Sequence, residues 1–343
     1  MKRVLAMIMA LVLCVGVTAC GTSEEETAET GVITEAAEDA GNYSGEVTVY
    51  TSVPQDLADA FKAEFETKYP EVTVNIYRAT SGEVLTKIKT ESEGGQLAGD
   101  ILWVADFSSA ESLKELGLLE SYTSKEDTAI DEAYKDAEHY YYGSRIINMV
   151  LAYNTAIEAP TSWADLTGEA LKNKVGIPSV SSGSAFQYIG VMSENADFGW
   201  NYFEALKDNG ALQFKANKDV LQRIATGELL AGPVLDYMVT EMKEQGSPVD
   251  FVIPEEGAIA VASPIAKLKE CKNPELAELF IDFTLSKEGQ EILVTLNTTP
   301  VRTDVETPDN VLSLAEMTVM EDGKGYLSNA DEIKNNFNAI FGE

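Results

Sequence analysis

The chain has 343 residues, 45% of them hydrophobic and 24% charged, a composition that supports about two globular domains. Twenty-five basic against 57 acidic residues leave a net charge of −32, which repels nucleic acid and anionic lipid and excludes nucleic acid as a partner.

Lys2 and Arg3 precede an apolar run from Val4 to Val17, followed by Thr18, Ala19, Cys20 and Gly21. A basic start, a short apolar core and small residues before a cut make the pattern of a secretory signal. The run falls short of the ~20 residues that a spanning helix needs. Val17-Thr18-Ala19-Cys20 resembles the bacterial lipobox, with Val where Leu is commoner. That resemblance implies removal of residues 1–19 and a lipid on Cys20. The mature chain is then anchored at the outer face of the cytoplasmic membrane or in the cell envelope. An ordinary secretory signal cut nearby is the alternative. Cys271 is then the one cysteine in the folded part, and no intrachain disulfide is expected. Residues 20–45 hold Glu24, Glu25, Glu26, Glu29, Glu35, Glu38 and Asp39 without a Lys or Arg, and read as a disordered acidic linker.

Folded structure is expected from Glu46. Residues 47–50 form a β-rich run and 51–54 a turn. Leu57, Phe61 and Phe65 then recur at i, i+4 and i+8, the spacing of one helix face, and Pro70 ends that helix. Residues 72–77 read as a strand, 82–93 as a helix and 100–104 as a strand. A long strand-like run covers 146–153. Beyond it lie a strand at 175–178, helices at 184–194 and 218–226, a strand at 229–235, a helix at 236–244, an extended stretch at 249–262, and helices at 274–285 and 287–296. Alternating strands and helices predict α/β sheets with ligands at the carboxyl ends of the strands. No internal repeat is present.

The sequence argues against an enzyme. His139 is its one histidine, and it contains no Gly-x-Ser-x-Gly, His-Glu-x-x-His, cysteine pair or P-loop. No catalytic residue and no cofactor is assigned.

Several segments carry a family resemblance: Val49-Tyr50-Thr51-Ser52, Phe61-Lys62-Ala63-Glu64-Phe65-Glu66 through Tyr69-Pro70, Gly99-Asp100-Ile101-Leu102-Trp103, Leu151-Ala152-Tyr153-Asn154-Thr155, Pro160 to Leu166, and Phe280 to Gln290. In this order and spacing they are similar to the extracellular solute-binding proteins of ATP-driven (ABC) importers, over essentially all of 46–343. The resemblance implies a two-lobed, type II periplasmic-binding-protein-like fold, each lobe a sheet flanked by helices. Lobe one would take 46–143 plus 264–343 and lobe two 144–263, with the ligand in a cleft at a two-segment hinge. Tyr142-Gly143-Ser144 and Ser263-Pro264 suit that hinge. It also implies a monomer that hands a small solute to a membrane permease. The nearest subgroups bind ferric iron, phosphonates or sugar phosphates. Ferric binders of this type present adjacent tyrosines late in lobe two. Here that place reads Leu235-Asp236-Tyr237-Met238, with one Tyr, which is similar to organophosphate-binding relatives.

Three turns offer hydroxyls and free N–H groups ahead of helices: Ser52, then Thr80-Ser81-Gly82, then Ser182-Gly183-Ser184-Ala185. The first amides of a helix lack partners and its dipole is positive there, so such turns hold anions or simply cap their helices. Together they are expected to close on a small anionic organic solute, a phosphonate or sugar phosphate. Asp236 and Glu256 are candidates for sugar hydroxyls or an amine, with a solvated turn as the alternative for Glu256. Trp103, Asp106, Tyr142 and Arg145 are candidate cleft lining. For Trp103 the core is the alternative, and for Arg145 a pairing with one of the many surface acids. Ferric capture through Tyr237, with Tyr142 as a possible second phenolate, is the other functional reading.

Overall fold

The computed structural model describes residues 43–313 and 317–342; the leader, Cys20 and the linker up to residue 42 lie outside the described residues. The first elements are β1 (Gly45–Thr51), α1 (Gln55–Lys68), β2 (Val72–Arg78), α2 (Ser81–Glu93), β3 (Ile101–Trp103), α3 (Phe107–Glu115) and β4 (Leu119–Glu120). β1 pairs in parallel with β2 on one side and β3 on the other. Side chains alternate across a strand, so β1 buries both faces. Val47 and Val49 pack with Leu57, Phe61 and Phe65 of α1, while Tyr50 packs with Val84 and Ile88 of α2. The i, i+4, i+8 stripe of α1 is thus the floor of the lobe-one core.

β5 (Tyr142–Asn154) is a 13-residue strand that leaves this lobe and enters the second. There follow β6 (Gly176–Pro178), α4 (Gly183–Glu194), α5 (Gly199–Asp208), β7 (Leu212–Phe214), α6 (Asn217–Ala225), β8 (Ala231–Leu235), α7 (Asp236–Glu244) and β9 (Val249–Val252). β8 runs antiparallel to β5, Val175 bridges Ala231 in parallel, and β6 pairs in parallel with β7. Lobe two therefore presents the start of β5 and the carboxyl ends of β8, β6 and β7 along one edge. The expected extended stretch 249–262 is broken. β9 ends at Val252, a turn follows, and β10 (Ile259–Leu268) begins the return.

β10 runs back antiparallel to β5, with Ile259 opposite Met149 and Ile265 opposite Tyr142. The register shifts between Ser263 and Pro264, leaving Ser144 as the extra residue on β5. Proline has no N–H to give the ladder, so the bulge falls where a strand interior tolerates it. Ser144 Oγ donates to the Ser263 carbonyl (2.8 Å) and accepts from the Trp103 indole (2.8 Å). The two segments expected to act as a hinge meet at this irregularity.

α8 (Pro274–Leu285) and α9 (Lys287–Thr295) return to lobe one, where Phe280 and Phe283 pack on Phe61 and Phe65. The chain then passes between the lobes once more. Thr299 bridges Ile146, Val319 bridges Ala258, and α10 (Ala330–Phe341) lies on lobe two. Ile333, Phe337 and Phe341 line one face of α10 and share a cluster with Trp163, Phe186 and Phe203. This corrects the expected membership of 264–343 in lobe one: the last segment packs on lobe two. Among the described residues no helix is long and apolar enough to cross a membrane.

Candidate functional site

The strand ends of the two lobes face each other across a cleft. From lobe one come Ser52 after β1, Ser81 and Gly82 at the start of α2, and Asp106 ahead of α3. Ser81 Oγ donates to Ser52 Oγ at 3.0 Å. From lobe two come the turn into α4 and the segment Asp236-Tyr237 after β8. The lobes touch: the position a Cβ would take on Gly183 lies 1.9 Å from Asp106 Oδ2 and 3.0 Å from Ser81 Oγ. A groove of about 700 Å³ runs outward from this contact, lined by Ser81, Asp106, Ser109, Ser181, Gly183 and Phe186 among others.

Three helices begin at the cleft, and they differ in how their first amides are satisfied. At α2, Thr80 and Glu83 form a reciprocal capping box. The Thr80 amide and hydroxyl donate to Glu83 Oε2 (2.9 and 2.8 Å), and the Glu83 amide donates to Thr80 Oγ1. These bonds hold the Glu83 carboxyl below its usual range. At α3, Asp106 is the cap. It accepts from the Ser109 amide (3.0 Å), the Ser109 hydroxyl (2.9 Å) and the Ser108 hydroxyl. At α4 there is no side-chain cap. The amides of Gly183, Ser184 and Ala185 are buried and donate to no protein group. Buried amides without a partner are rare, and these leave room for an acceptor group. Asn217, the first residue of α6, stands beside it. Its Nδ2 donates to Ser184 Oγ (3.0 Å) and Ser182 Oγ (3.5 Å).

A cation lies at the start of β5. Arg145 is 1% exposed, and its Cζ sits 5.7 Å from the centre of the Tyr237 ring. Its Nε and Nη1 are buried with no hydrogen-bond partner. Burial pulls the guanidinium pKa down, opposed by Tyr237 and Asp236. Asp236 is buried too and accepts from the Asn148 amide (3.0 Å) and Asn148 Nδ2 (2.7 Å). Burial pushes its carboxyl up to about 6, against the pull of Asn148 and Arg145. Burial also pushes the Tyr237 phenol up to about 12, so it keeps its proton at neutral pH. Among the described residues, the fully buried side chains that leave a polar atom unpartnered are Arg145, Asn148 and Asn217. All three belong to the lobe-two side of the cleft and the hinge.

Two lobes are joined by β5 and β10, with unpartnered donors on the lobe-two side. The chain matches the family of bacterial extracellular solute-binding proteins over residues 100–322. It belongs to that family. Among solved structures, the periplasmic binding protein AfuA from Actinobacillus pleuropneumoniae, with exogenous fructose-6-phosphate bound, is 26% identical with a TM-score of 0.80. That match covers 87% of this chain and 99% of AfuA. The ferric binding protein from Campylobacter jejuni shares the fold at 20% identity and a TM-score of 0.76, covering 86% of this chain and 99% of its own. An uncharacterized protein of Haemophilus influenzae is 28% identical over 273 residues, 75% of this chain and 78% of the relative. The fold is that of type II periplasmic binding proteins, and a solute-binding protein of this family is not a catalyst.

Within this solute-binding protein, several residues expected at the cleft are engaged elsewhere. The Thr80 hydroxyl is taken by its own capping box. Trp103 is core, packed on Phe61 (5.3 Å between ring centres) and Phe280 (6.2 Å) and bonded to Ser144. Tyr142 lies in the lobe-one core, where its hydroxyl accepts from the Ser124 amide (3.2 Å) and meets Asp127 (3.0 Å) and His139 (3.0 Å). Glu256 accepts from the Ser162 hydroxyl and the Trp163 amide, closing the turn before Trp163, and lies before β10 even starts. Ser81, Gly82, Asp106 and Gly183 line the groove and Ser52 is bonded to Ser81, while Arg145, Asp236 and Tyr237 form a separate buried cluster at the start of β5 and the end of β8. Asn148 and Asn217 were not foreseen, because an asparagine on a strand or at a helix start has no mark of its own in a sequence.

Proposed function

We propose that this solute-binding protein, as the substrate-binding component of an ABC importer, captures a small phosphorylated or phosphonate-bearing organic anion between its lobes and passes it to the permease. The observation that carries this reading is Arg145, a buried guanidinium with two unpartnered nitrogens. A buried charge needs a partner, and among the described residues Arg145 has the Tyr237 ring and the field of the Asp236 carboxylate for company, with its Nε and Nη1 unbonded. Arg145 supplies the charge, while the open turn of α4 and the hydroxyls of Ser52, Ser81, Ser182 and Ser184 supply neutral donors suited to oxyanions. Asp236 accepts from hydroxyls on the rest of the molecule. The fructose-6-phosphate bound to AfuA supports the same class. Ligand binding to both lobes favours the closed form by its differential affinity. A lipid on Cys20 would tether the monomer at the outer face of the membrane.

Ferric capture is less well supported. It requires phenolate at Tyr237, which burial keeps protonated, beside a guanidinium that repels a cation. The other tyrosine, Tyr142, is bound into the lobe-one core.

Thermal unfolding of the metal-stripped protein against a panel tests the reading. The panel holds hexose phosphates, glycerol phosphates, aminoethylphosphonate, inorganic phosphate, polyamines and ferric citrate. At 100 times its dissociation constant a ligand stabilises by ~2.7 kcal/mol, which raises the midpoint by several degrees. Stabilisation by an organophosphate is the expected result. Stabilisation by ferric citrate alone would overturn it.

A further inference from the structure

The segment Ser286-Lys287-Glu288-Gly289-Gln290 converges on the crossing between the lobes. Ser286 caps α9 and accepts from the Gly289 amide (3.1 Å). Gly289 lets α9 begin hard against the end of α8: a Cβ there would stand 2.0 Å from the Phe283 carbonyl oxygen. This turn carries Gln290, fully buried, to β5. Its Nε2 donates to the carbonyls of Ser144 (2.6 Å) and Thr284 (2.8 Å), and its Oε1 accepts from the Val301 amide (2.9 Å). Both N–H groups and the oxygen of the side chain are thus used.

Ser144 is the bulge residue of β5, and Gln290 gives its carbonyl a partner. On the lobe-one side, Ser144 is tied to Gln290 and Trp103, and Ser263 to the Val104 carbonyl. On the lobe-two side, Asn148 is tied to Asp236. Between these ties lie Arg145, Ile146 and Ile147. Ile146 pairs with Ala262 of β10 on one side and with Thr299 on the other, so three chain segments cross here.

Resting on the lobe closure proposed above, we propose that Gln290 is a positioning residue for that closure. It fixes the lobe-one end of the pivot and confines bending to Arg145, Ile146, Ile147 and the residues paired with them. A hinge is a few residues that absorb the φ/ψ change. Asp106 meets Gly183 with no room for a Cβ, a fit that requires the lobes to approach along one path. A pivot without slack supplies that path.

The test is hydrogen exchange, read by mass spectrometry, on the ligand-free protein. Gln290→Met keeps the length and bulk of the side chain and removes all three bonds. Val301 loses its acceptor outright, so the diagnostic stretches are 142–144 on β5 and 263–265 on β10. They should exchange at least about tenfold faster, while α1 and β2 keep the parent's rates. Phe65→Leu alters an equally buried site of the same lobe, on α1, and should do the reverse. The same pattern in both variants would make Gln290 a plain core residue and overturn the proposal. Parental rates at 142–144 in Gln290→Met would also overturn it. Should Gln290→Met not fold, Ser144→Ala decides: it cuts the bonds to Trp103 and Ser263 at the same point and should loosen the same stretches, and parental rates there would overturn the proposal. No ligand enters this measurement, so its failure is distinct from that of the organophosphate reading, which fails when no phosphorylated compound of the panel stabilises the protein.

Discussion

Asp106 and Gly183 meet across the cleft so closely that no side chain fits between them. A Cβ on residue 183 would stand 1.9 Å from Asp106 Oδ2 and 2.8 Å from its Cγ. The Asp106 carboxylate cannot swing away cheaply, because it caps α3 through Ser109. Gly183→Ala should therefore oppose closure of the lobes while leaving each lobe intact. Overpacking of this kind costs about 1–3 kcal/mol, which lowers affinity for the organophosphate by about tenfold to a hundredfold. Titration calorimetry reads the affinity, and small-angle scattering with and without ligand reads the closure. Full affinity and full compaction in the variant would mean that the two residues do not meet in the ligand-bound form.

Asp236 makes stability depend on pH in an unusual direction. Its carboxyl is pushed up to about 6 in the folded chain, from an ordinary value of about 3.9 when unfolded. Between those values the native state binds more protons than the unfolded one, so this group's contribution falls as pH rises and levels off above about 6. The loss is on the order of 2–3 kcal/mol. Asp236→Asn should abolish it. Glu83 and Asp304, whose carboxyls are held low, push the opposite way but titrate alike in both proteins and cancel in the difference. Denaturant unfolding at pH 4.5 and 7.5 should show the parent protein losing ground to the variant at the higher pH. A difference that is flat, or of opposite sign, would count against a raised Asp236.

The C-terminal helix should be an integral part of lobe two. Phe337 is fully buried, 5.8 Å from the Phe203 ring and 4.8 Å from Phe341 between ring centres. Phe337→Ala should cost about 3–5 kcal/mol, the usual range for emptying an aromatic site in a core. Hydrogen exchange should then rise in α4, α5 and α10 before it rises in α1 and α8. A loss confined to α10, with α4 and α5 still protected, would mean that the helix is an appendage.

Much of lobe one can be read from local pattern. The valines of β1, the stripe Leu57, Phe61 and Phe65, and the proline after it each serve one element, and local spacing is enough to place them. The irregularity at Ser263-Pro264 is legible for the same reason, since a proline cannot complete a ladder. The fate of α10 is not. Ile333, Phe337 and Phe341 declare an apolar face, but which lobe covers it is decided by contacts more than 130 residues distant in sequence, such as Phe203. Arg145 has the same character. As a sequence symbol it is one of few cations among many acids, and only the packing of Tyr237 over it turns it into a buried charge. Thr80 was legible in a different sense. Thr-x-x-Glu is a capping pattern, and the alternative of simple capping is what the chain adopts there.

Glu256 separates binding from support. It was a candidate for ligand hydroxyls, yet its two oxygens hold the Ser162 hydroxyl and the amide of Trp163, whose indole donates to the Gly257 carbonyl at 3.0 Å. Trp163 is fully buried between Tyr188 and its neighbours in the lobe-two core. Glu256→Ala removes the acceptor and leaves that amide unsatisfied, which should cost about 1–3 kcal/mol. Ligand affinity at a temperature where the variant is folded should stay within about twofold of the parent. Arg145→Met should do the reverse. It deletes a buried guanidinium whose Nε and Nη1 are unbonded and whose company is the Tyr237 ring and the Asp236 charge, so it should cost the unfolding midpoint little while lowering affinity for a phosphorylated ligand by at least about tenfold. Measuring midpoint and affinity on both variants gives a crossed pattern if Arg145 binds and Glu256 supports. A tenfold loss of affinity in Glu256→Ala would return that carboxylate to the cleft, and an undiminished affinity in Arg145→Met would remove the guanidinium from it.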